Sequence, residues 1–237
     1  MTQFVLVHGA WHGGWCWKKV ASLLRRNGHQ VHTPTLTGLG DRYHLTSPEI
    51  GLETHVLDIV NYLKFEDLSG ITMVGHSYGG AVITAAADRA PEYIDHLIYV
   101  DAPVLNDGQS MWDFFEPKVK DWYRELLRQS EVDWLIPVPK DLHALGITSA
   151  KDVEWMVKRL VPHPLRSFVD PVNVKPRERQ QRNSFVYCDR PGSSYTALAK
   201  TLSHEPSWKY VEIAAGHDVM VTEPNELTRL LIQLSKY

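Results

Sequence analysis

The chain is poor in cysteine, with only Cys16 and Cys188 among its 237 residues. Two cysteines cannot build the disulfide framework of a small secreted protein, so we expect buried free thiols in a reducing compartment. No charged and apolar leader precedes the first predicted strand, and no apolar run approaches the ~20 residues of a membrane-spanning helix. These absences predict a cytoplasmic protein with no membrane partner.

An excess of positive charge is also absent, because the net charge is −3. Nucleic acid is therefore not an expected partner. Internal repeats and low-complexity stretches are missing too. The hydrophobic fraction of 43% and the charged fraction of 22% are ordinary for a globular protein, and the length suits one large domain. The composition leaves a monomer and a homodimer equally open.

Short apolar strands alternate with helical patterns along most of the chain. Strands are predicted over Phe4–Val7, Val31–Leu36, Ile71–Val74, Leu97–Val100, Ser184–Cys188 and Trp208–Ile213. Helices are predicted over Trp17–Arg26, Leu52–Phe65, an alanine-rich stretch from Ala81, residues 194–203 and Pro224–Leu234. Apolar strands joined by helices indicate an α/β fold, with a mostly parallel sheet that helices cover on both faces.

This alternation is interrupted after Asp101. Residues 103–182 contain tryptophan- and charge-rich helical stretches near 109–129 and 150–160. Proline-rich joints follow at Pro137, Pro139, Pro162, Pro164, Pro171 and Pro176. Because its apolar stripes need something to pack against, we interpret this segment as a helical cap inserted into a single domain that spans residues 1–237. Its aromatic side chains predict an apolar substrate pocket, although many of them can serve only to pack the cap onto the sheet.

The most informative motif is a serine between glycines in residues 75–79, Gly-His-Ser-Tyr-Gly. A predicted strand enters it and an alanine-rich helix follows, which is the context of a nucleophile elbow. Such a turn strains the serine backbone and exposes its hydroxyl, while a Cβ on either flanking glycine would collide with the neighbouring strand or helix. Ser77 is therefore the predicted nucleophile, and a tight turn with an incidental serine is the alternative.

A serine hydroxyl needs a base to take its proton and a third group to orient that base. His217 is the predicted base, because it follows the last predicted strand and precedes the terminal helix. Asp189, at the end of a predicted strand, is the predicted acid, because nucleophile, acid and histidine then follow in a known chain order. Asp101, at the end of another strand, is the alternative, because a triad is defined by geometry.

A glycine-rich loop, His-Gly-Ala-Trp-His-Gly-Gly-Trp in residues 8–15, follows the first strand. Backbone N–H groups stabilise a developing oxyanion well, and this loop and the residue after the nucleophile can supply them. We therefore predict that the amides of Ala10 and Tyr78 form an oxyanion hole. His8 and His12 lack cysteine or carboxylate companions, so we expect them to pack or form hydrogen bonds. No metal and no cofactor is predicted.

Together these motifs resemble the α/β-hydrolase superfamily. The resemblance is carried by Val5–Trp15, Gly75–Gly80 and Gly216–Asp218, and it covers the whole chain except much of the cap. The chain looks like the branch of plant methylesterases, hydroxynitrile lyases and small bacterial carboxylesterases, including pyrethroid-hydrolysing ones. Thr35–Gly40 and Tyr99–Ala102 are most similar to the bacterial esterases. The resemblance implies cofactor-free ester hydrolysis through an acyl-serine, with the cap shaping an apolar pocket.

Departures from this pattern refine the expected function. The lyases carry a lysine after the histidine and a threonine in the first loop, where this chain has Asp218 and Gly9. Because lyase chemistry needs a cation near the departing cyanide, an esterase is favoured. The turn Arg190–Gly192 occupies the usual acid site of the family. We predict a serine carboxylesterase acting on small apolar esters. The alternatives are a non-catalytic ligand-binding protein on this scaffold, and lactonase or hydroxynitrile-lyase-type activity on the same triad.

Overall fold

The computed structural model describes residues 1–175, 181–190 and 193–237. Pro176 and the Pro191–Gly192 part of the turn discussed above lie outside the described residues. The strands are β1 (Gln3–Val7), β2 (Gln30–His32), β3 (Ile71–His76), β4 (Ile94–Val100), β5 (Leu135–Ile136), β6 (His163–Pro164), β7 (Arg182–Cys188) and β8 (Trp208–Ile213). The helices are α1 (Lys18–Arg26), α2 (Leu52–Phe65), α3 (Gly79–Arg89), α4 (Met111–Phe114), α5 (Pro117–Arg128), α6 (Ala150–Val157), α7 (Arg166–Val169), α8 (Thr196–Leu202), α9 (Val219–Thr222) and α10 (Pro224–Ser235).

Six strands form one sheet in the order β2-β1-β3-β4-β7-β8. Every neighbouring pair in it is parallel. All residues of β3 are buried, which requires cover on both faces because successive side chains of a strand point to opposite faces. Helix α1 packs against α10, and α2 packs against α3. The predicted α/β fold, with a parallel sheet between helices, is therefore confirmed.

One predicted strand is shorter than expected. We predicted a strand over Val31–Leu36, but β2 ends at His32. Pro34 has no N–H to donate to a neighbouring strand, so it interrupts the ladder. The N–H of Leu36 donates instead to Nε2 of His8, at 3.1 Å, and the chain thereby turns towards the loop that follows β1.

The described part of the segment between β4 and β7 contains the α-helices α4 to α7 and the antiparallel pair β5–β6. Its buried apolar side chains, among them Met111 and Phe115, belong to the same hydrophobic cluster as the sheet. Backbone contacts tie it to the sheet's loops, because Val161 N–H donates to Trp11 O at 3.0 Å and Asp218 N–H donates to Leu145 O at 3.1 Å. The segment therefore lies against the loops that follow β1 and β8.

No helix in the described part of the chain combines the length and the apolar character that crossing a bilayer demands.

Candidate active site

Ser77 lies between β3 and α3 in a left-handed backbone conformation, with φ at +51°. A non-glycine residue rarely adopts this region, and such strain is concentrated at functional sites. The turn is held at both ends, because Ser77 N–H donates to Val100 O at 3.3 Å and Gly80 N–H donates to Ser77 O at 2.8 Å. Ser77 therefore has the backbone geometry of a nucleophile elbow.

The glycines on either side of Ser77 permit this tight turn. A Cβ built on Gly75 would lie 2.7 Å from the carbonyl oxygen of Gly79, at the start of α3. A Cβ on Gly79 would lie 2.7 Å from the carbonyl oxygen of Val7, at the end of β1. Both distances are shorter than real Cβ contacts, so the expected collisions with strand and helix are present.

His217 is bonded to Asp101, which follows β4 directly. Its Nδ1 lies 2.6 Å from Oδ2 of Asp101, and the carboxylate is fully buried. Asp101 also has a positive φ, +42°, and its N–H donates to Val186 O at 2.8 Å. The backbone turn at the end of β4 thus places the carboxylate at the carboxyl edge of the sheet, beside the loop that carries His217.

Burial and the charge of neighbouring carboxylates have opposite effects on the pKa of the His217 imidazole. Burial lowers its pKa, but the hydrogen bond and the negative charge of Asp101 outweigh burial and raise the pKa above the ordinary value of 6.5. The carboxylate therefore stabilises the imidazolium that forms when the ring accepts a proton. A ring bonded in this way at Nδ1 presents Nε2 as its acceptor.

The preference for Asp189 as the partner of His217 is wrong, and the alternative, Asp101, is the residue that the structure brings to the ring. Asp189 follows β7 and is exposed. Its N–H donates to Ile213 O at 3.1 Å, and its carboxylate forms no hydrogen bond or ion pair within the described ranges. The physical reason is strand order: β4 is adjacent to β3, which leads to Ser77, whereas β7 is one strand further away.

Sequence reasoning missed a further polar partner of the acid. Ser193 Oγ donates to Oδ1 of Asp101 at 2.7 Å, and Tyr195 N–H donates to Ser193 Oγ at 3.2 Å. The amide of Cys188 lies 3.5 Å from the same carboxylate oxygen. The buried carboxylate is thus bonded on both of its oxygens, as a buried charge requires. No motif in the sequence marks Ser193, because its role depends on the strand order.

The amides of Ala10 and Tyr78 are both free to bind an anion. Within residues 1–175, 181–190 and 193–237, neither N–H donates a hydrogen bond to the protein. Tyr78 follows Ser77 directly and precedes α3. Ala10 lies in the loop after β1, just before Trp11, whose φ is +65°. An unpaired buried N–H is uncommon in proteins, so the two amides stay candidates for the predicted oxyanion donors.

The histidines of the first loop and the elbow form hydrogen bonds to the backbone. His8 Nδ1 donates to Gly9 O at 2.9 Å, and burial lowers the pKa of His8 to about 3. His76 Nε2 donates to the carbonyl oxygen of His217 at 2.9 Å. Burial lowers the pKa of His76 to about 3 as well. Both rings are therefore neutral, with one proton each.

A metal ion is not needed to explain any of these side chains. In the described part of the chain, His76, His217 and Asp218 are the residues grouped as possible metal ligands. One nitrogen or oxygen atom of each lies within 4.8 Å of the corresponding atoms of the other two. Two of these rings already use a nitrogen for a hydrogen bond, one of them to Asp101. The absence of a metal stays a prediction.

Ser77 and His217 open into the same cavity, of about 550 Å³. The cavity lies between the sheet edge and the segment that follows β4. Its walls combine aromatic and aliphatic side chains, from Trp11, Phe115, Val119, Trp122, Tyr123, Leu145 and Tyr195, with polar and charged ones, among them Glu116, Lys118, Ser194 and Thr196. Such walls suit a largely apolar ligand that polar side chains can orient.

The chain is similar to known hydrolases and esterases over almost its entire length. Residues 4–230 match the profile of the Alpha/beta hydrolase family. A carbendazim hydrolyzing esterase from Nocardioides sp. is 37% identical, over 99% of this chain and 100% of its own. Putative methylesterase 15, chloroplastic, from Arabidopsis thaliana is 26% identical over 99% of this chain, which spans 56% of that relative's length.

A solved structure has the same fold. The extracellular alpha/beta-hydrolase from a Paenibacillus species superposes with a TM-score of 0.85 and 25% sequence identity, covering 98% of each chain. The resemblance to α/β hydrolases and to esterases of this branch is therefore confirmed.

Proposed function

Because the chain belongs to the alpha/beta hydrolase family, we propose that it is a serine carboxylesterase that hydrolyses small apolar esters through an acyl-serine intermediate. The carbendazim hydrolyzing esterase matches the chain over nearly its full length, so the protein is a carboxylic ester hydrolase. The observation that carries the serine route is the pair formed by His217 and Asp101, at 2.6 Å, beside a cavity that Ser77 also lines.

In this mechanism Ser77 Oγ attacks the ester carbonyl carbon while Nε2 of His217 takes the hydroxyl proton. The ester C–O bond then breaks, and the imidazolium returns that proton to the departing alcohol. Water then enters, loses a proton to the same ring and attacks the acyl carbon. The bond from that carbon to Ser77 Oγ breaks, the imidazolium returns the proton to Oγ, and the carboxylic acid leaves. Asp101 stays ionised throughout, holds the ring and stabilises its charged form.

The unpaired amides of Ala10 and Tyr78 support their assignment as the oxyanion hole. Negative charge develops on the carbonyl oxygen only as the tetrahedral intermediate forms, so donors fixed in advance stabilise the transition state more than the substrate. Loss of one such donor typically costs about 3–4 kcal/mol of that stabilisation. These backbone donors and three side chains complete the chemistry without a cofactor.

We propose that residues 103–182 act as the cap of this single domain. Phe115, Trp122 and Leu145 line the cavity from this segment, which supports a role in selecting apolar acyl or alcohol groups. The natural ester, a cytoplasmic location and the choice between monomer and homodimer stay predictions. The location rests on the free thiols of Cys16 and Cys188.

Hydrolysis of p-nitrophenyl acetate and butyrate tests the proposal. We expect the wild type to be active, and Ser77→Ala to remove at least ~10³-fold of kcat. Ser184→Ala is the matched control, because Ser184 is a buried serine that is hydrogen-bonded to a histidine, His96, at 2.8 Å, but is not among the residues that line the cavity. A fluorophosphonate should label the wild type and the control but not Ser77→Ala. A folded wild type that neither hydrolyses these esters nor is labelled would contradict the proposal.

A further inference from the structure

Asp218, which follows His217, is a fully buried carboxylate that the ester mechanism does not use. Neither of its oxygens has a well-aligned hydrogen bond in the described part of the chain. Its near neighbours are imidazole nitrogens: Nε2 of His12 lies 3.3 Å from Oδ2, and Nε2 of His76 lies 3.8 Å from Oδ1. A buried charge without such compensation is strongly unfavourable. His217 is already paired with Asp101 at 2.6 Å, so one of the other two rings must balance Asp218.

His76 does not supply the charge. Its Nε2 proton is donated to the carbonyl oxygen of His217 at 2.9 Å, and burial lowers its pKa to about 3. Burial raises the pKa of Asp218, but the three histidines that face it outweigh burial and lower that pKa. The carboxylate is therefore ionised beside a neutral ring at His76.

His12 is positioned to supply the positive charge that balances Asp218, because both of its nitrogens lie close to oxygen atoms. Nδ1 lies 2.6 Å from the carbonyl oxygen of Ala10, which can only accept a hydrogen bond, so this nitrogen carries a proton. Nε2 lies 3.3 Å from Oδ2 of Asp218 without a well-aligned hydrogen bond, and in the neutral ring it would carry a lone pair next to the carboxylate. A second proton, on Nε2, removes that repulsion. The ring is buried, with 2% of its surface exposed.

We propose that His12 is an imidazolium ion paired with Asp218, and that this pair is a positioning device for the oxyanion hole. The inference rests on the proposed function. The charged ring holds the carbonyl of Ala10 and so restricts rotation of the backbone that aims the Ala10 N–H. Asp218 is anchored in turn, because its own N–H donates to Leu145 O at 3.1 Å. The pair thus joins the loop of the oxyanion donor to the loop of the catalytic histidine.

Two measurements test this pair, and the first does not depend on activity. ¹⁵N NMR of the wild-type histidines at neutral pH should show His12 protonated at both nitrogens. In Asp218→Asn the carboxamide can donate to Nε2, so His12 should keep only its Nδ1 proton while the loop stays in place. A wild-type His12 ring with a single proton would overturn the ion pair, whether or not the protein is an esterase.

The second measurement is the kinetics of p-nitrophenyl butyrate hydrolysis in His12→Phe, which keeps the ring volume but removes both N–H groups. We expect kcat to fall on the order of 10- to 100-fold, because a small displacement of an oxyanion donor has that effect. KM should change by less than about threefold, because the donor acts on the transition state. Asp218→Asn should retain more of kcat than His12→Phe.

His96→Gln is the matched control, because His96 is also a buried histidine with a hydrogen bond, to Ser184, but lies within β4. It should lower thermal stability and leave kcat within about twofold of the wild type. A folded His12→Phe with wild-type kcat would overturn the positioning role. If His12→Phe does not fold, equal kcat in Asp218→Asn and in a folded Asp218→Leu overturns it instead. An inactive, unlabelled wild type is a failure of the proposed function alone.

Discussion

Asp101 and Asp189 were the two candidates for the acid that orients His217, the proposed catalytic base, and substituting each of them tests the choice. Asp101→Asn should lower kcat on the order of 10⁴-fold, as the same change does in serine proteases. That factor corresponds to about 5 kcal/mol of transition-state stabilisation. Asp189→Asn should leave kcat within about twofold of the wild type, because exposed side chains away from the site contribute little. Asp189 is exposed, and its strand contact to Ile213 uses the backbone N–H, which this change preserves.

The structure gives the reason for the large effect. Oδ2 of Asp101 accepts the Nδ1 proton of His217 at 2.6 Å, while Oδ1 accepts from Ser193 at 2.7 Å. In Asp101→Asn the amide oxygen can accept from only one of these donors. With its oxygen towards Ser193, the amide N–H₂ group faces Nδ1, and the imidazole proton moves to Nε2. That nitrogen then cannot take the proton of Ser77.

The pH profile of kcat/KM gives an independent readout. The base must be neutral to act, so kcat/KM rises with pH through the pKa of His217. Asp101 holds that pKa above 6.5 in the wild type, against burial. In Asp101→Asn only burial and the weaker effect of Asp218 remain, so the midpoint of the acid limb should move to lower pH. A wild-type midpoint in Asp101→Asn, or a large loss of kcat in Asp189→Asn, would refute the assignment of the acid.

Three more predictions follow from the described contacts. Gly9→Ala should lower kcat on the order of 10- to 100-fold. The new Cβ would lie 2.9 Å from Cβ of Ser77 and should displace that side chain. Full labelling by a fluorophosphonate at the wild-type rate would contradict this. Trp122→Ala should raise KM for p-nitrophenyl butyrate about fivefold, through about 1 kcal/mol of lost apolar contact, and the acetate ester should change less. Burial raises the pKa of Cys16 and Cys188, so the native protein should not react with Ellman's reagent, and both thiols should react after unfolding.

Local patterns were enough to predict most elements of the fold. The predicted helix and the observed α2 both span Leu52–Phe65, and the predicted strand Trp208–Ile213 is β8. In both cases periodicity and end signals lie within the element itself. The strand predicted over Val31–Leu36 was too long, because Pro34 interrupts the ladder and the N–H of Leu36 donates to His8 instead of a neighbouring strand. Such a partner lies outside any local window of sequence.

The candidate site shows the same division between local and non-local information. The elbow geometry of Ser77 could be predicted, because glycine spacing and the flanking strand and helix are local features. The aspartate that contacts His217 could not, because its position depends on which strand lies beside β3 in the sheet. Chain order favoured the end of β7, whereas the order β3-β4-β7 brings the end of β4 next to the nucleophile. A triad defined by geometry follows the sheet and not the chain.

The stretch after β7, where the family resemblance implies an acid, carries Ser193, whose hydroxyl donates to Oδ1 of Asp101 at 2.7 Å. A carboxylate at position 193 would lie near the charge of Asp101, and two like charges that close cannot both stay ionised at neutral pH. A hydroxyl stabilises a carboxylate instead. We therefore expect Ser193→Asp to lower kcat for p-nitrophenyl butyrate, and wild-type kcat in this variant would contradict the proposed coupling of Asp101 to a neutral donor.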